Sequence, residues 1–505
     1  MTFPTPSIEY ARLSPMLIVF SAAVVGLLLE ALLPAQNRYR AQLALSCAAL
    51  IASFAAVLSL AGNRGSAVMG SVMVDGPAVF LQGAILIVAM AALAPIAERR
   101  LAAFTPQAST VPGTAEEQQA AGDGSIQTEV FPLLLLATGG LLLFPVASDL
   151  LTIFVALEVL SLPLYVLCGL ARRKRLLSQE AALKYLLLGA FSSALFVYGI
   201  ALLYGYTGTL TLTGIAQAIG EQPHPSLAVT GMGLLAAGLL FKVGAVPFHC
   251  WVPDVYQGAP TPITLFMAAA TKIAAFGALS RVFYVALPGL ITDWRPVLSA
   301  VAALTMLIAA VLTVTQTDIK RLLGYSAVAN AGFLLLGVSG SQAGLVSTLF
   351  YLATYGLATV GVFAVIAVLR RPDGSEETET AYWAGLNRRS PTAACAVALF
   401  LLALAGIPLT SGFVAKFAVF QAAAADGAGA LVVVGVISSA ITAFAYARII
   451  VLMFFREPAD QTIMAAQPSG PRLAVIAVAA ATIVLAGVVP QPLLDLASNA
   501  GQFSP

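Results

Sequence analysis

An all-α polytopic membrane protein is the fold class this sequence predicts, with about 14 transmembrane helices, two inverted five-helix repeats and two broken helices. Three observations carry the prediction. Of 505 residues, 60% are hydrophobic and only 10% charged, against about 25% charged in soluble domains. The apolar residues come in runs of ~20, long enough to cross a bilayer core as helices. Basic residues crowd into alternate connections between those runs. A soluble enzyme, a disordered chain and a disulfide scaffold are all excluded.

The candidate segments are 12–33, 41–61, 76–97, 129–146, 149–169, 183–205, 226–247, 262–287, 295–315, 321–339, 342–369, 392–424, 431–455 and 472–496. They are apolar all round and lack strand-like alternation, as helices in lipid should. The first is read as a retained helix, because no small-residue cleavage site follows it. Four units are expected: 1–128 (three helices plus a polar cytoplasmic loop), 129–290 (helices 4–8), 291–456 (helices 9–13) and 457–505 (helix 14).

Odd-numbered connections carry Arg38, Arg40, Arg99, Arg100, Arg172, Arg173, Lys174, Arg175, Lys320, Arg321, Arg370, Arg371, Arg388, Arg389, Arg456 and Arg472. The even ones carry only Arg64 and Arg295. Basic loops stay cytoplasmic, so both termini should lie on the non-cytoplasmic side. The 172–175 cluster reads as a topology anchor. Loops 98–128 and 370–391 read as solvated connectors. A net charge of +2 does not call for nucleic acid, and Cys47, Cys168, Cys250 and Cys395 show no metal spacing. No glycine loop follows a strand, so NADH or ATP binding on this chain is not expected.

Four of the ionisable residues inside apolar segments are singled out: Glu158, Lys242, Lys272 and Lys416. The chain has only six lysines, so half of them sit at membrane depth. An unpaired charge there costs at least about 2.5–3.5 kcal/mol, so each needs a partner, water or neutralisation. Buried ion pairs or snorkelled stems that staple helices are one explanation. A proton path is the other, since a desolvated lysine sheds a proton and regains it beside a carboxylate. Sodium would call for more carboxylates and carbonyls. His249 and Asp254, just past the seventh segment, are candidate relays or structural turn residues. Asp318, Lys320 and Arg321 read as a helix start, with Tyr325, Ser326 and Asn330 following on that helix.

Two segments are interrupted. The seventh runs FKVGAVPFHCWVPDVYQGAPTP, closed by Pro247, Pro253, Pro260 and Pro262. The twelfth reads ALAGIPLTSGFVAKF, interrupted at Gly406, Pro408, Thr410, Ser411 and Gly412. Such breaks are tolerated at membrane depth only where they are buried or line a wet cavity. Each holds fourth place in a block of five segments, and an odd block inverts its successor, the pattern of an inverted-repeat transporter. The match is incomplete, because segment 10 has no acid answering Glu158 and segment 13 no lysine answering Lys272.

The strings LEVLSLPLYVL, QEAALKYLLLGAFSSALFVYGIALLYGYTGTL, FKVGAVPFHCWVPDVYQGAPTPIT and TDIKRLLGYSAVANAGF resemble the antiporter-like membrane subunits of respiratory complex I. The resemblance spans all the segments and is nearest to the subunit N branch of bacterial NADH:quinone oxidoreductase. Subunit M usually has glutamate where Lys416 stands, and subunit L adds a long lateral helix. What the resemblance implies is a proton-translocating subunit in a bacterial inner membrane, assembled with other membrane subunits of complex I. It also implies a path through Glu158, Lys242, Lys272 and Lys416. NADH, FMN, iron–sulfur clusters and quinone would belong to other subunits, with no cofactor on this chain. The expected mechanism is a Glu158–Lys242 ion pair that opens and closes, passing protons through Lys272 to Lys416. A subunit of a multisubunit sodium/proton antiporter is the alternative function.

Overall fold

The computed structural model describes residues 8–99, 103–105, 110–111, 114–116, 119, 127–172, 174–221, 225–371, 376–458 and 463–504. The helices are α1 (Tyr10–Leu32), α2 (Ala35–Ser59), α3 (Gly76–Ile96), α4 (Val130–Leu143), α5 (Leu150–Cys168), α6 (Arg175–Thr207), α7 (Leu212–Glu221), α8 (Ser226–Val243) and α9 (Trp251–Gly258). There follow α10 (Thr261–Ala286), α11 (Pro288–Thr315), α12 (Ile319–Val338), α13 (Gln342–Ile366), α14 (Pro391–Ala405), α15 (Ser411–Ala425), α16 (Gly429–Phe455), α17 (Gly470–Val488) and α18 (Gln491–Ala500). Among the described residues, 12 helices are long and apolar enough to cross a membrane; α4, α14 and α15 are shorter apolar ones. Polytopic membrane architecture is therefore what the chain adopts.

Since the helices are apolar all round, sequence periodicity does not say which face is buried. Small residues decide it. A Cβ on Gly199 of α6 would lie 2.5 Å from the Leu235 nitrogen of α8, so only glycine lets these helices approach so closely. The same holds for Gly140 of α4 against Leu160 of α5. The result is an inner set, α10, α12 and α13, buried almost throughout, and an outer set that includes α1, α2, α6, α11, α16 and α17.

Two helix starts are built alike. Asp149 caps α5 by accepting from the Thr152 amide at 2.7 Å, and Asp318 caps α12 by accepting from Arg321 at 3.0 Å. Leu150 N–H donates to Leu210, and Leu212 N–H returns to Ser148. Ile319 N–H donates to Thr378, and Thr380 N–H returns to Thr317. Each helix start is thus laced to the loop that follows the next long helix.

The two segments expected to be broken are so: the twelfth is two helices, α14 and α15, and the seventh is α8 plus the short α9. Pro253 sits in the first turn of α9 and Pro262 in that of α10, where a missing N–H costs nothing. These two prolines therefore sit at helix starts. The surface helix α7 was not foreseen. Two short ribbons also occur, β1 (Gly65–Ala67) with β2 (Val72–Val74) and β3 (Leu369–Arg370) with β4 (Met464–Ala465).

The described part of loop 370–391 is folded rather than solvated. Glu377 and Trp383 are buried, Arg371 pairs with Glu377, and Arg370 pairs with Glu376 at 3.2 Å. Much of loop 98–128 lies outside the described residues. Its described part bridges to the following connection, Thr105 N–H donating to Leu170 at 2.9 Å. Arg175 is buried and donates to Thr110 at 2.9 Å, so it anchors the described part of that loop.

One buried ion pair escaped sequence reasoning. Arg281 of α10 donates to Asp75 at 2.8 Å and to the Pro145 carbonyl at 2.7 Å, with both partners almost fully buried. Asp75 also caps α3, accepting from Ala78 at 2.9 Å. Arg281→Gln leaves that carboxylate uncompensated, a change expected to cost about 3–5 kcal/mol. It should be read as a lower melting temperature of the assembled protein; an unchanged melt would mean the pair does not hold α3 to α10.

Glu376 ties loop 370–391 to the helix ends. Burial alone would raise its carboxyl above the ordinary range, but Lys320, Arg370 and the Thr261 hydroxyl outweigh burial and hold it below. A depressed carboxyl stabilises at pH above its unfolded value, and that contribution vanishes as pH falls through the folded one. Amides of 376–383 should therefore exchange faster, after correction for intrinsic rates, below about pH 4. Glu376→Gln should remove that pH dependence.

Candidate proton path

Glu158 lies on α5, half-buried, accepting a hydrogen bond from Ser193 of α6. Ser161 stands three residues on, on the same side of α5. Its hydroxyl accepts from Lys242 Nζ at 2.8 Å, and Tyr185 OH accepts from the same ammonium at 3.1 Å. Tyr185 is braced in turn by Trp251, stacked at 4.6 Å, whose indole N–H donates to Phe241 at 3.0 Å. The expected Glu158–Lys242 ion pair is not closed. Serine hydroxyls separate the two groups, one holding the carboxylate and one the ammonium.

Gly244 ends α8 with φ +75°, and Gly406 ends α14 with φ +83°. Both ends close in the same way. Gly244 N–H donates to Phe241 and Ala245 N–H to Leu240; Gly406 N–H donates to Ala403 and Ile407 N–H to Leu402. This is the left-handed termination that glycine permits. A Cβ on Gly406 would also strike Lys416 Cδ at 2.8 Å.

Each break frees a carbonyl, and a lysine meets it. The Val243 carbonyl would take its helical bond from residue 247, which is proline and has no N–H. Lys272 Nζ donates to it at 3.2 Å and also to Ala327. Lys272 follows a π-helical turn, Met267–Thr271, a distortion frequent at functional sites. Lys416 Nζ donates to the Ala405 carbonyl at 2.9 Å and to Ser439 Oγ at 3.0 Å. A cation at a helix C-terminus is also favoured by the aligned peptide dipoles. The predicted parallel is therefore partial, since Lys242 precedes its break and Lys416 follows its own.

Lys320 is the residue that sequence reasoning misplaced. Asp318 does start α12, but Lys320 turns inward, is buried, and donates to the Ala259 carbonyl at the end of α9 at 2.6 Å. No carboxylate is within ion-pair reach of Lys242, Lys272, Lys320 or Lys416 among the described residues. The available signal was the Ala259–Pro260 junction, a helix end whose carbonyl needs a donor.

Polar side chains join the rows. Tyr355 lies 5.9 Å beneath Lys272 Nζ, and its ring lines a cavity of about 10 Å³ shared with Asn330, Tyr351, Thr354, Ser411 and Gly412. That volume is about one water's worth. The Ser411 hydroxyl is buried there without a partner among the described residues, and α15 carries Lys416 five residues further on. Tyr351 OH donates to Asn330 at 2.6 Å, and Asn330 to the Ser326 carbonyl at 2.8 Å.

The relay candidates are placed differently. His249 lies beyond the α8 break with its ring 6.4 Å from Tyr325, and no hydrogen bond among the described residues joins it to the lysines. Asp254 is held by Lys184 at 2.8 Å and by Arg321, at the edge of the fold. Arg448 donates to the Gln316 carbonyl and Glu30 pairs with Arg38. Among the described residues no cluster of His, Cys, Asp or Glu could hold a metal ion.

Residues 147–442 match the family model described as NADH:quinone oxidoreductase/Mrp antiporter, TM. NADH-quinone oxidoreductase subunit N of Rhodococcus opacus is 58% identical, covering 99% of this chain and 97% of the relative. Its counterpart in Mycobacterium tuberculosis is 55% identical across 100% of both. A chain of respiratory complex I from Thermus thermophilus superposes with TM-score 0.77 at 33% identity, over 96% of this chain and 99% of that one. A chain of the Mrp complex from Dietzia sp. shares the fold, TM-score 0.84, at 21% identity over 98% and 97%. With its broken helices and its lysines set at their ends, the chain belongs to the NADH:quinone oxidoreductase/Mrp antiporter family of membrane subunits, in the subunit N branch.

Proposed function

We propose that this chain is the subunit N of an NADH:quinone oxidoreductase that moves protons through Lys242, Lys272 and Lys416, with Glu158 setting the first step. The observation that carries the reading is the set of buried lysines held by hydroxyls and freed carbonyls, without carboxylate partners. An ammonium held so is not locked in a salt bridge. A carboxylate drawn near favours the charged lysine, and withdrawn it favours the amine. Glu158 and Lys242 stand apart, as the open stage of such a cycle requires. A proton leaving Lys242 passes inward to Lys272, across the Tyr355–Ser411 cavity, and on to Lys416. Lys320 adds a further buried cation, and like charges along a row disfavour one another's protonation. His249 and Asp254 remain candidate surface relays.

The architecture we infer is 14 crossings, with α8–α9 and α14–α15 each one broken crossing and crossings 4–8 and 9–13 forming inverted repeats. The matched caps at Asp149 and Asp318 and the matched breaks at Gly244 and Gly406 support it. Both termini would face away from the cytoplasm, by the arginine-rich alternate loops. Electron carriers and quinone would sit in companion subunits. The sodium/proton antiporter alternative draws on the shared family model and the shared fold.

Lys242→Met should leave the complex assembled and cut NADH-driven proton uptake into inverted vesicles about 100-fold, the scale for losing a positioned proton-transfer group. Uptake and NADH–quinone turnover at normal levels would make this lysine structural. Gly406→Ala forces a left-handed alanine, a strain of about 1–2 kcal/mol, and pushes on Lys416. Gly427→Ala, at φ +80° with nothing within 4 Å, carries the same strain without touching the row. Proton uptake should fall in the first variant and persist in the second; equal activity in both would detach the break from transport.

A further inference from the structure

Where α16 ends beside the end of α11 and residues 379–381, the surface opens into a groove of about 730 Å³. That is the size range of small-ligand sites. Arg448, on α16, and Arg456, the extended residue just past its end, both line it. Arg448 is steadied at the mouth by a 2.7 Å bond to the Gln316 carbonyl, while Arg456 has no partner among the described residues. Thr317 and Thr380 also line it, as does Glu379, which brings one carboxylate. The groove therefore keeps one net positive charge, which suits a singly charged phosphodiester better than a doubly charged phosphate.

An apolar track leads away from it. Phe444 is 62% exposed, Ile437 50% and Val433 59%, at spacings that keep them on the same side of α16. From Arg448 to Ile437 is ~16 Å at ~1.5 Å per residue. Half of a ~30 Å hydrocarbon core is ~15 Å, so the track covers one leaflet. We propose that this groove binds an anionic glycerophospholipid. Arg448, Arg456, Thr317 and Thr380 hold its phosphodiester, and one acyl chain lies along Phe444 and Ile437. Cationic pockets between spans are the usual form of headgroup recognition.

The test uses the whole delipidated complex, titrated with phosphatidylglycerol or phosphatidylcholine and read by native mass spectrometry. Wild type should retain phosphatidylglycerol in preference. Arg448→Gln with Arg456→Gln should lower that preference about 30-fold, and the two lysine substitutions should preserve most of it. If the double variant fails to assemble, Arg456→Gln alone should lower the preference about fivefold. Equal retention of both lipids by wild type, or no change in the variants, overturns the proposal. So does a photoreactive group at position 444 that captures a neighbouring subunit rather than lipid, since that makes the face a protein interface.

Discussion

A backbone carbonyl left free at membrane depth is the constraint on which the rest of the site depends. An unsatisfied group there costs several kcal/mol, with no water to relieve it. Val243 and Ala405 are such groups because α8 and α14 stop inside the fold, and Lys272 and Lys416 supply the missing donors. The dependence runs both ways. Each lysine needs something negative to remain charged among apolar side chains, and a helix end offers roughly half an elementary charge. That is enough to hold an ammonium without neutralising it. The charge therefore stays able to respond to whatever approaches it.

Hydroxyls complete the arrangement. Ser161 and Tyr185 at Lys242, and Ser439 at Lys416, stand where a stapling ion pair would put carboxylates. A hydroxyl both donates and accepts, so it can stabilise the ammonium now and the amine after the proton has left. Contrast Arg281 and Asp75, equally buried but paired directly and fixed further by Pro145 and Ala78. Arginine cannot be deprotonated in proteins. One fold thus holds two kinds of buried cation: a guanidinium that locks helices together, and ammonium groups left without a permanent counter-charge.

Much of this was legible because membrane insertion is a blunt selector. Apolar runs near 20 residues located the helices, and four charges within them marked the candidate path before any contact was known. Breaks were readable for the same reason, since Pro247 and Gly406 stand out in otherwise uniform runs. What could not be read depends on direction. Whether Lys320 faces the loop or the core is set by the Ala259 carbonyl, which comes from sixty residues away. The Asp75–Arg281 pair joins positions still further apart, and Asp75 lies just outside its segment, where charge carries no signal of burial. Contacts such as Lys242 with Tyr185 arise from close helix approach at Gly199 and its like, information held in shape and not in hydropathy.

The two halves share their breaks but not the use made of them. At Gly244 the lysine on the broken helix itself, Lys242, turns back to α5 and α6, and the freed carbonyl is served by Lys272 from α10. At Gly406 a single lysine, Lys416, serves the carbonyl from the helix that follows. Two copies of one self-contained site would repeat the whole arrangement. Here the first break is attended by two lysines and a carboxylate and the second by one lysine, with the Tyr355–Ser411 cavity between them. In the proposed path that asymmetry would give the row a direction. Charge regulation would lie at the Glu158 end, with the Lys416 end, in contact with a carbonyl, a serine and a phenyl ring, left to receive and release.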